Sequence, residues 1–238
     1  MKKRYAYFVS ELGLGDQIFY IHLYVNSRLH NKNSIVISTK IYSFIHSLYP
    51  NNNQIICENT NRVNYEPLNI NHLYHNFIFN DDDADLASNN KVIGCSWKSF
   101  NSQYGHKKDI PIVNILKSLK DSSYQYTNLQ YGDIKKEKEE LDKHGIHLQE
   151  ASKIPFYENI IHHASVIRAV DVVITSSNIV AHIAGIINKR TILILPSSFP
   201  DHPYWLKVKN NHSYYYPNTL IYRTDHYESW TLLKNLIK

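Results

Sequence analysis

Short apolar segments alternate with helical patterns along the chain, and this alternation is the feature that most constrains its fold. In the first half, apolar strand patterns lie at Tyr5–Val9, Ser34–Ser38 and Gln54–Cys57, and helical patterns lie at Gln17–Leu29 and Tyr42–Leu48. Strands that alternate with helices indicate a parallel sheet covered by helices. We therefore expect an α/β protein.

The alternation stops at a polar stretch and then starts again, which indicates two lobes. Residues Asn59–Asn80 are polar, rich in asparagine and without clear periodicity, and the acidic run Asp81–Asp85 follows them. Such composition is typical of a connection rather than of a packed element. We predict an N-terminal lobe over residues 1–88 and a C-terminal lobe over residues 89–238.

The second lobe repeats the strand and helix pattern over a longer stretch. Strands are predicted at Val92–Ser96, Tyr126–Gln130, Asp171–Thr175 and Thr191–Leu195, and helices at Ile110–Leu119, Lys135–Lys143, Ile160–Ala169, Ile179–Asn188 and Ser229–Ile237. Two Rossmann-like lobes of this kind would face each other across a cleft, with a ligand at the carboxyl ends of the strands. The N-terminal lobe, about ninety residues long, is small for such an arrangement.

Charge and composition exclude several classes of function. The net charge is +5 over 238 residues, but the basic residues are scattered, which argues against a nucleic-acid partner and favours anionic small molecules or lipid headgroups. No apolar run approaches the roughly 18 residues of a membrane span. The basic start reads as a strand rather than a signal peptide, so a cytoplasmic protein is expected. Cys57 and Cys95 lack metal-ligand spacing.

A glycine turn follows the first predicted strand. In Gly13-Leu14-Gly15-Asp16, two glycines let the backbone approach a ligand, and Asp16 stands where the start of a helix stabilises a carboxylate. The alternative is an ordinary tight turn in which Asp16 caps the helix.

A second polar turn follows the buried strand near Val172. Ser176, Ser177 and Asn178 open a helix whose first turn carries free N–H groups, which suit a diphosphate, and His182 lies one turn further on. Gly185 would let this helix pack closely on a neighbour. The alternative is that Ser177 or Asn178 only caps the helix while His182 packs in the core.

Together these motifs resemble the heptosyltransferase-like glycosyltransferases, a family with the GT-B fold. An N-terminal GLGD pairs with a late TSSN-x-x-AH-x-AG, and Ile93–Ser99 and Leu129–Asp133 follow the family in order and spacing. The end of the chain resembles members that accompany repeat modules more than true heptosyltransferases, on the residues Pro196, Trp205, Tyr216-Pro217 and Arg223.

The resemblance implies an inverting transfer of sugar from a nucleotide-diphosphate donor to an acceptor hydroxyl, without metal or other cofactor. Asp16 would be the catalytic base. Lys98, Ser99 and the helix start would neutralise the leaving diphosphate. Gln130, Tyr131 and Gly132 would border the nucleoside, and Glu137 would bind the ribose. The residues assigned to donor binding are Gly15, Trp97, Lys98, Ser99, Gln130, Tyr131, Gly132, Glu137, Ser176, Ser177, Asn178 and His182.

The resemblance also implies partners and a setting. These are a glycan or lipid-linked acceptor in bacterial surface-glycan assembly, peripheral contact with the inner membrane, and a partner module or homo-oligomer that supplements the short first lobe. Ser177-Asn178 stands where many heptosyltransferases have an Asp-Thr pair, which leaves the donor sugar open.

Two other functions remain open from the sequence. One is a glycan- or nucleotide-binding module of the same fold without catalytic activity. The other is a metal-dependent glycosyltransferase in which Asp81–Asp85 acts as a DxD site that holds a divalent cation against the diphosphate. The simpler interpretation of the acidic run is a solvated linker.

Overall fold

The chain forms two compact units, Met1–Asp81 and Asp82–Lys238, each with its own sheet. The computed structural model describes residues 4–27, 32–58, 65–67, 91–100, 105–120, 123–150, 159–197, 202–206, 208–223, 230 and 232–237. The acidic run Asp81–Asp85 lies outside these residues.

The N-terminal unit is a parallel sheet with helices between its strands. Its elements are β1 (Arg4–Phe8), α1 (Leu14–Val25), β2 (Ser34–Ile37), α2 (Thr39–Leu48), β3 (Ile55–Cys57) and β4 (Tyr65–Pro67). The described strands lie in the order β3-β2-β1-β4, and β1 pairs in parallel with both β2 and β4. The strand order therefore reverses at β1, where an open α/β sheet has its topological switch point.

Burial explains why these segments become strands and helices. All four residues of β2 are buried, as expected for a parallel strand covered on both faces. In α1, Ile18 and Ile21 are three residues apart and both are fully buried, so they share the face that packs on the rest of the unit.

The C-terminal unit repeats this plan with more strands. Its elements are β5 (Lys91–Ser96), a 3-10 helix (Gly105–Lys108), α3 (Ile112–Leu119), β6 (Tyr124–Asn128), α4 (Lys135–Lys143), β7 (Leu148–Glu150), α5 (Ile160–Ala169), β8 (Val172–Thr175), α6 (Ile179–Ile186), β9 (Thr191–Leu195), α7 (Pro203–Leu206), β10 (Val208–Lys209), β11 (His212–Ser213), β12 (Thr219–Arg223) and α8 (Leu233–Ile237).

The larger sheet reverses its strand order at β5. The described strands lie in the order β10-β11-β12-β9-β8-β5-β6-β7, parallel from β12 to β7, with β10 and β11 antiparallel at one edge. The chain leaves β5 for β6 and β7 on one side and returns to β8 and β9 on the other. The loops that leave β5 and β8 therefore diverge and expose the strand ends between them.

The core of this unit lies between the sheet and its helices. Ile93, Ile174 and Ile194 come from neighbouring strands and pack in one cluster with Ile115 and Leu116 of α3. Full burial of such a side chain stabilises the fold by about 1.5–3 kcal/mol. The core thus holds β5 and β8 in place, and with them the turns that follow.

Several predicted elements are confirmed and several are shifted. The predicted bounds of α4, α5 and β9 match the structure. The helix predicted to reach Asn188 ends at Ile186 instead, because Asn188 adopts a φ of 56°, the left-handed conformation that ends many helices. β6 begins and ends two residues earlier than predicted, so Leu129 and Gln130 belong to the following turn.

Five of the described strands were not predicted: the short edge strands β10 and β11, and three that pair in parallel within the two sheets. Tyr65–Pro67 was interpreted as part of a polar linker, yet it pairs with β1. Leu148–Glu150 and Thr219–Arg223 were not predicted either, and they extend the second sheet beside β6 and β9. These segments are short, and two of them are polar, so pairing with a distant strand decides their structure.

Within the described part of the chain, no helix is both long enough and apolar enough to cross a bilayer.

Candidate functional site

The glycine turn of the N-terminal unit lies at the carboxyl end of β1, beside the switch point of its sheet. Gly13 is the N-cap of α1 and Asp16 lies in the first helical turn. The Asp16 side chain turns back over the N-cap, so that a Cβ added at Gly13 would lie 2.9 Å from Asp16 Oδ2. The absence of a side chain at Gly13 therefore permits the position of this carboxylate.

Gln17 fixes the same turn, and the sequence analysis missed it. Its Nε2 donates to the carbonyl oxygens of Leu12 at 2.9 Å and Ser10 at 3.3 Å, and its Oε1 accepts from the amide of Ser38 at 2.9 Å. The side chain is buried. It joins the turn after β1 to the end of β2, and so holds the backbone from which Asp16 projects.

In the C-terminal unit, the predicted donor-binding segments converge at the switch point of the larger sheet. Ser96 ends β5, and the turn Trp97–Ser99 follows it. Ser176–Asn178 follow β8, which pairs with β5 in parallel. The amide of Ser176 donates to the carbonyl oxygen of Ser96 at 3.1 Å, so the two turns start side by side.

Gln130, which follows β6, braces the turn after β5. Its Oε1 accepts from the amides of Trp97 at 2.7 Å and Lys98 at 2.8 Å, and from the Ser96 hydroxyl at 3.2 Å. Its Nε2 donates to the carbonyl oxygens of Tyr131 and Lys98. The residue is only 6% exposed. Gln130 was predicted to border the nucleoside; its polar atoms are used within the protein.

Asn178 joins the two turns from the other side. Its Oδ1 accepts from the amide of Val180 at 2.9 Å, which caps α6, and from the Thr175 hydroxyl at 3.2 Å. Its Nδ2 donates to Ser96 Oγ at 2.8 Å and to the Lys98 carbonyl oxygen at 3.1 Å. Asn178 therefore caps a helix and cross-links β5 to β8 at the same time.

The capping corrects one expectation about α6. The first helical turn was predicted to offer free N–H groups, but the amide of Val180 binds the Asn178 side chain and the amide of Ala181 binds the Asn178 carbonyl oxygen at 3.2 Å. The prediction is wrong for these two groups, because the side-chain oxygen and the carbonyl oxygen of Asn178 already accept their hydrogen bonds. Among the described residues, no hydrogen bond is made by the amides of Ser177 and Ile179.

Lys98 and Glu137, predicted to bind the diphosphate and the ribose, form an ion pair with each other. Both side chains are partly buried. Burial by itself raises the pKa of Glu137, but the hydrogen bond and charge of Lys98, together with hydrogen bonds from the Glu137 backbone and Trp97, outweigh burial, so the net effect is a lowered pKa. The carboxylate is therefore ionised at neutral pH and holds the Lys98 ammonium beside the turn.

His182 packs inside an aromatic cluster. Its ring stacks on Trp205 with centroids 5.2 Å apart and meets Tyr204 edge-on at 4.8 Å, and the side chain is only 3% exposed. Trp205 in turn donates from Nε1 to Ser177 Oγ at 2.9 Å. Burial, followed by the charges of Lys108 and His202, lowers the pKa of His182 to about 3. This is the packing of a core histidine, and a contact between its imidazole and a phosphate stays a prediction.

Gly185 allows the aromatic cluster to pack directly against the backbone of α6. A Cβ added at Gly185 would lie 2.5 Å from Cγ of Tyr216, whose ring lies against the helix backbone. The predicted close packing at Gly185 is confirmed, and its partner is the Tyr216 ring.

Tyr131 and Gly132 form the turn after β6. Tyr131 is mostly buried, and Gly132 adopts a φ of 82°, which strongly favours glycine. Phe100, which the sequence analysis did not single out, lies against both: its ring centroid is 5.4 Å from that of Tyr131, and a Cβ at Gly132 would lie 2.7 Å from Phe100 Cε2.

Among the residues that the structure describes, no group of three or more histidine, cysteine, aspartate or glutamate side chains is placed to hold a metal ion. The Asp81–Asp85 hypothesis concerns residues outside that set. The chemical character of the described site is thus a lysine with buried amide and hydroxyl groups, which is the kind of surroundings that suits an anion.

No protein-family model and no curated protein matches the sequence, but solved structures do. The ADP-heptose lipopolysaccharide heptosyltransferase II of Escherichia coli aligns with a TM-score of 0.55 at 11% identity, over 99% of this chain and 96% of that one. A family 9 glycosyltransferase from Veillonella parvula gives a TM-score of 0.53 at 11% identity, over 99% and 89%. The chain has the GT-B fold.

A third structural neighbour is an iron-containing, dodecameric enzyme. The iron-containing dodecameric glycosyltransferase TibC from enterotoxigenic Escherichia coli aligns with a TM-score of 0.51 at 12% identity, over 100% of this chain and 76% of that one. Identities this low establish the shared fold alone.

Proposed function

We propose that the chain is a glycosyltransferase that moves a sugar, with inversion, from a nucleotide-diphosphate donor to an acceptor hydroxyl. The observation that carries the proposal is the convergence of the turns after β5, β6 and β8 at the switch point of the C-terminal sheet, where open α/β sheets bind ligands. The proposal is supported by neighbours of the same fold that are themselves glycosyltransferases, one of them an ADP-heptose enzyme.

The diphosphate would be held by a lysine and by backbone amides. Lys98 supplies a positive charge beside the turn that Gln130 and Asn178 brace. The amides of Ser177 and Ile179 are the donors at the start of α6 that Asn178 does not occupy. Fixed donors aimed at a leaving diphosphate stabilise the charge that develops there without reorganisation.

The ion pair between Lys98 and Glu137 also places a carboxylate that can bind the ribose. When the Lys98 ammonium turns to the diphosphate, the Glu137 carboxylate is released to accept hydrogen bonds from the ribose hydroxyls. We propose this exchange of partners as the first event of donor binding.

Asp16 is proposed as the catalytic base that removes the proton from the acceptor hydroxyl. It stands at the start of α1, where the helix dipole interacts favourably with a carboxylate, and Gly13 leaves room for it. With a lysine and amides at the leaving group, the reaction is proposed to need no metal, and we expect transfer to survive exhaustive chelation with EDTA.

Donor binding is tested by the thermal stability of the protein with ADP, UDP, GDP and their sugars. A ligand that binds only the native state at 100 times its dissociation constant stabilises it by about 2.7 kcal/mol, which raises Tm by about 5–11 °C. The proposal fails if no nucleoside diphosphate at millimolar concentration raises Tm.

The base is tested with Asp16→Asn, which preserves shape and removes the proton acceptor. We expect the rate of transfer to bacterial lipid-linked glycan acceptors to fall by about 100-fold or more, with donor affinity unchanged. Glu11→Gln, which neutralises an exposed acid near the same turn, is the matched control and keeps full activity. Equal turnover by Asp16→Asn and the parent protein would instead favour a binding module without catalytic activity.

A further inference from the structure

Phe100 is an exposed aromatic ring beside the candidate donor site. The large apolar side chains exposed among the described residues are Leu12, Phe100, Ile161 and Leu232. Phe100 is 57% exposed and is the aromatic member of this group. Exposure of the Phe100 ring to water is unfavourable, because its apolar surface is not buried.

The exposed Phe100 ring is held in place by two neighbouring residues. One edge lies against the backbone of Gly132, where a side chain would collide with it, and its other neighbour is the ring of Tyr131, tilted by 45° at a centroid distance of 5.4 Å. Such a tilted pair is a favourable aromatic arrangement. Tyr131 is mostly buried, so the pair is anchored in the unit through Tyr131.

The backbone that leads to Phe100 is held by several contacts. The preceding amides of Trp97 and Lys98 donate to Gln130, and the amide of Ser99 donates to Asp109 Oδ1 at 3.2 Å. Gly105 packs directly against the carbonyl of Ser99. A ring whose preceding backbone and one edge are fixed, while 57% of the residue is exposed, is preorganised to receive a flat partner.

The position of the ring fits one end of the proposed donor. Phe100 follows β5 by four residues and Gly132 follows β6 by four, so both lie at the carboxyl edge of the sheet that also carries Lys98 and Glu137. The diphosphate is assigned to Lys98 and the ribose to Glu137, which leaves the nucleobase as the flat part of the donor.

We propose that Phe100, supported by Tyr131 and Gly132, is the platform on which the base of the donor nucleotide stacks. This inference rests on the proposed function, because it needs a nucleotide at the same site. A base stacks through its π-face rather than by hydrogen bonds, so the platform contributes affinity for the base while leaving its identity to other contacts.

The test compares ligands with and without a base by isothermal titration calorimetry. ADP and UDP carry a base, and inorganic pyrophosphate does not. Loss of a stacking ring weakens base binding by about tenfold. We therefore expect Phe100→Ala to weaken the better of the two nucleotides about tenfold and leave pyrophosphate affinity unchanged, and Phe100→Trp to retain nucleotide affinity.

The outcomes separate this inference from the proposed function. Leu232→Ala, which removes an apolar side chain of similar exposure, is the control and should alter neither affinity. If Phe100→Ala binds nucleotide as tightly as the parent protein, or weakens nucleotide and pyrophosphate equally, the platform is excluded while the donor site stands. If the parent protein binds none of ADP, UDP and GDP, both proposals are overturned.

Discussion

At the scale of single residues, the burial of His182 determines which protonation state the folded protein favours. His182 is enclosed by Tyr204, Trp205 and Tyr216, with Nδ1 3.3 Å from the Tyr216 hydroxyl. Aromatic rings cannot solvate an imidazolium as water does, and therefore the neutral form is favoured. His182 was assigned to phosphate binding from its motif and spacing. Its burial also makes it a residue that affects the free energy of unfolding.

This burial predicts acid sensitivity. The pKa of His182 is lowered to about 3 in the folded protein, whereas an unfolded histidine has a pKa of about 6.5. As the pH falls below 6.5, the unfolded chain takes up the proton first. The free energy of unfolding should therefore fall by up to about 1.4 kcal/mol per pH unit from this residue, over the range between those two values.

Urea unfolding at pH 7 and pH 5, followed by tryptophan fluorescence, measures this effect. His182→Phe keeps the ring contacts and should lose less stability between these pH values than the parent protein, by about 2 kcal/mol. Tyr216→Phe is the control, since it removes the hydroxyl partner but retains the imidazole, and it should keep the parental pH dependence. Identical slopes for His182→Phe and the parent would show that the histidine does not titrate in this range.

At the scale of elements, two amide side chains hold the turn after β5. Gln130 and Asn178 are both nearly buried, and together they bind Ser96, Trp97 and Lys98 from opposite sides. An amide both donates and accepts, which is what a turn with exposed N–H and C=O groups requires. The position of Lys98 is therefore decided by residues that follow β6 and β8.

Gln130→Glu tests this brace. The carboxylate can still accept from the amides of Trp97 and Lys98, but an oxygen replaces the Nε2 that donates to the carbonyl of Tyr131 at 2.8 Å. We expect a loss of about 2–3 kcal/mol in the free energy of unfolding at pH 8.

The deficit should shrink at pH 5, because burial raises the pKa of the new carboxyl and its protonated form can donate again. Gln130→Met, of similar length but with no donor or strong acceptor, should lose stability equally at both values. The comparison is the difference from the parent protein at each pH. A deficit of Gln130→Glu that does not change with pH would contradict the hydrogen-bond assignment.

At the scale of the whole molecule, the chain consists of two compact units that each contain a parallel sheet with a strand-order reversal. In the first, Asp16 follows β1, and in the second, the turns proposed to bind the donor follow β5 and β8. Each unit thus places its candidate residues at the position where its own sheet favours a ligand.

This organisation predicts that residues 82–238 fold by themselves. The three tryptophans, Trp97, Trp205 and Trp230, all lie in this unit and are buried, so their fluorescence reports its folding. We expect the fragment to unfold cooperatively in urea and to bind the same nucleoside diphosphate as the full chain. Residues 1–81 serve as the control and should not bind it. A fragment without a cooperative transition would show that the second unit depends on the first.

The sequence by itself determined the local elements and the order of the motifs. Local pattern gave α5 and β9 their predicted bounds, as did the charged helical run of α4. The two polar turns near Asp16 and Asn178 were identified from glycine spacing and from the end of a buried strand. Such features depend on neighbours within a few residues, where the period of side-chain burial directly reflects the backbone.

Tertiary structure alone decided which polar atoms are free. The sequence left open whether Asn178 caps the helix and whether His182 packs in the core, and it did not indicate that Lys98 pairs with Glu137. Nor could it indicate that Tyr65–Pro67 joins β1 as a strand. Each of these depends on partners distant in sequence or on the competition between two possible partners, and only the packed chain brings those partners within reach.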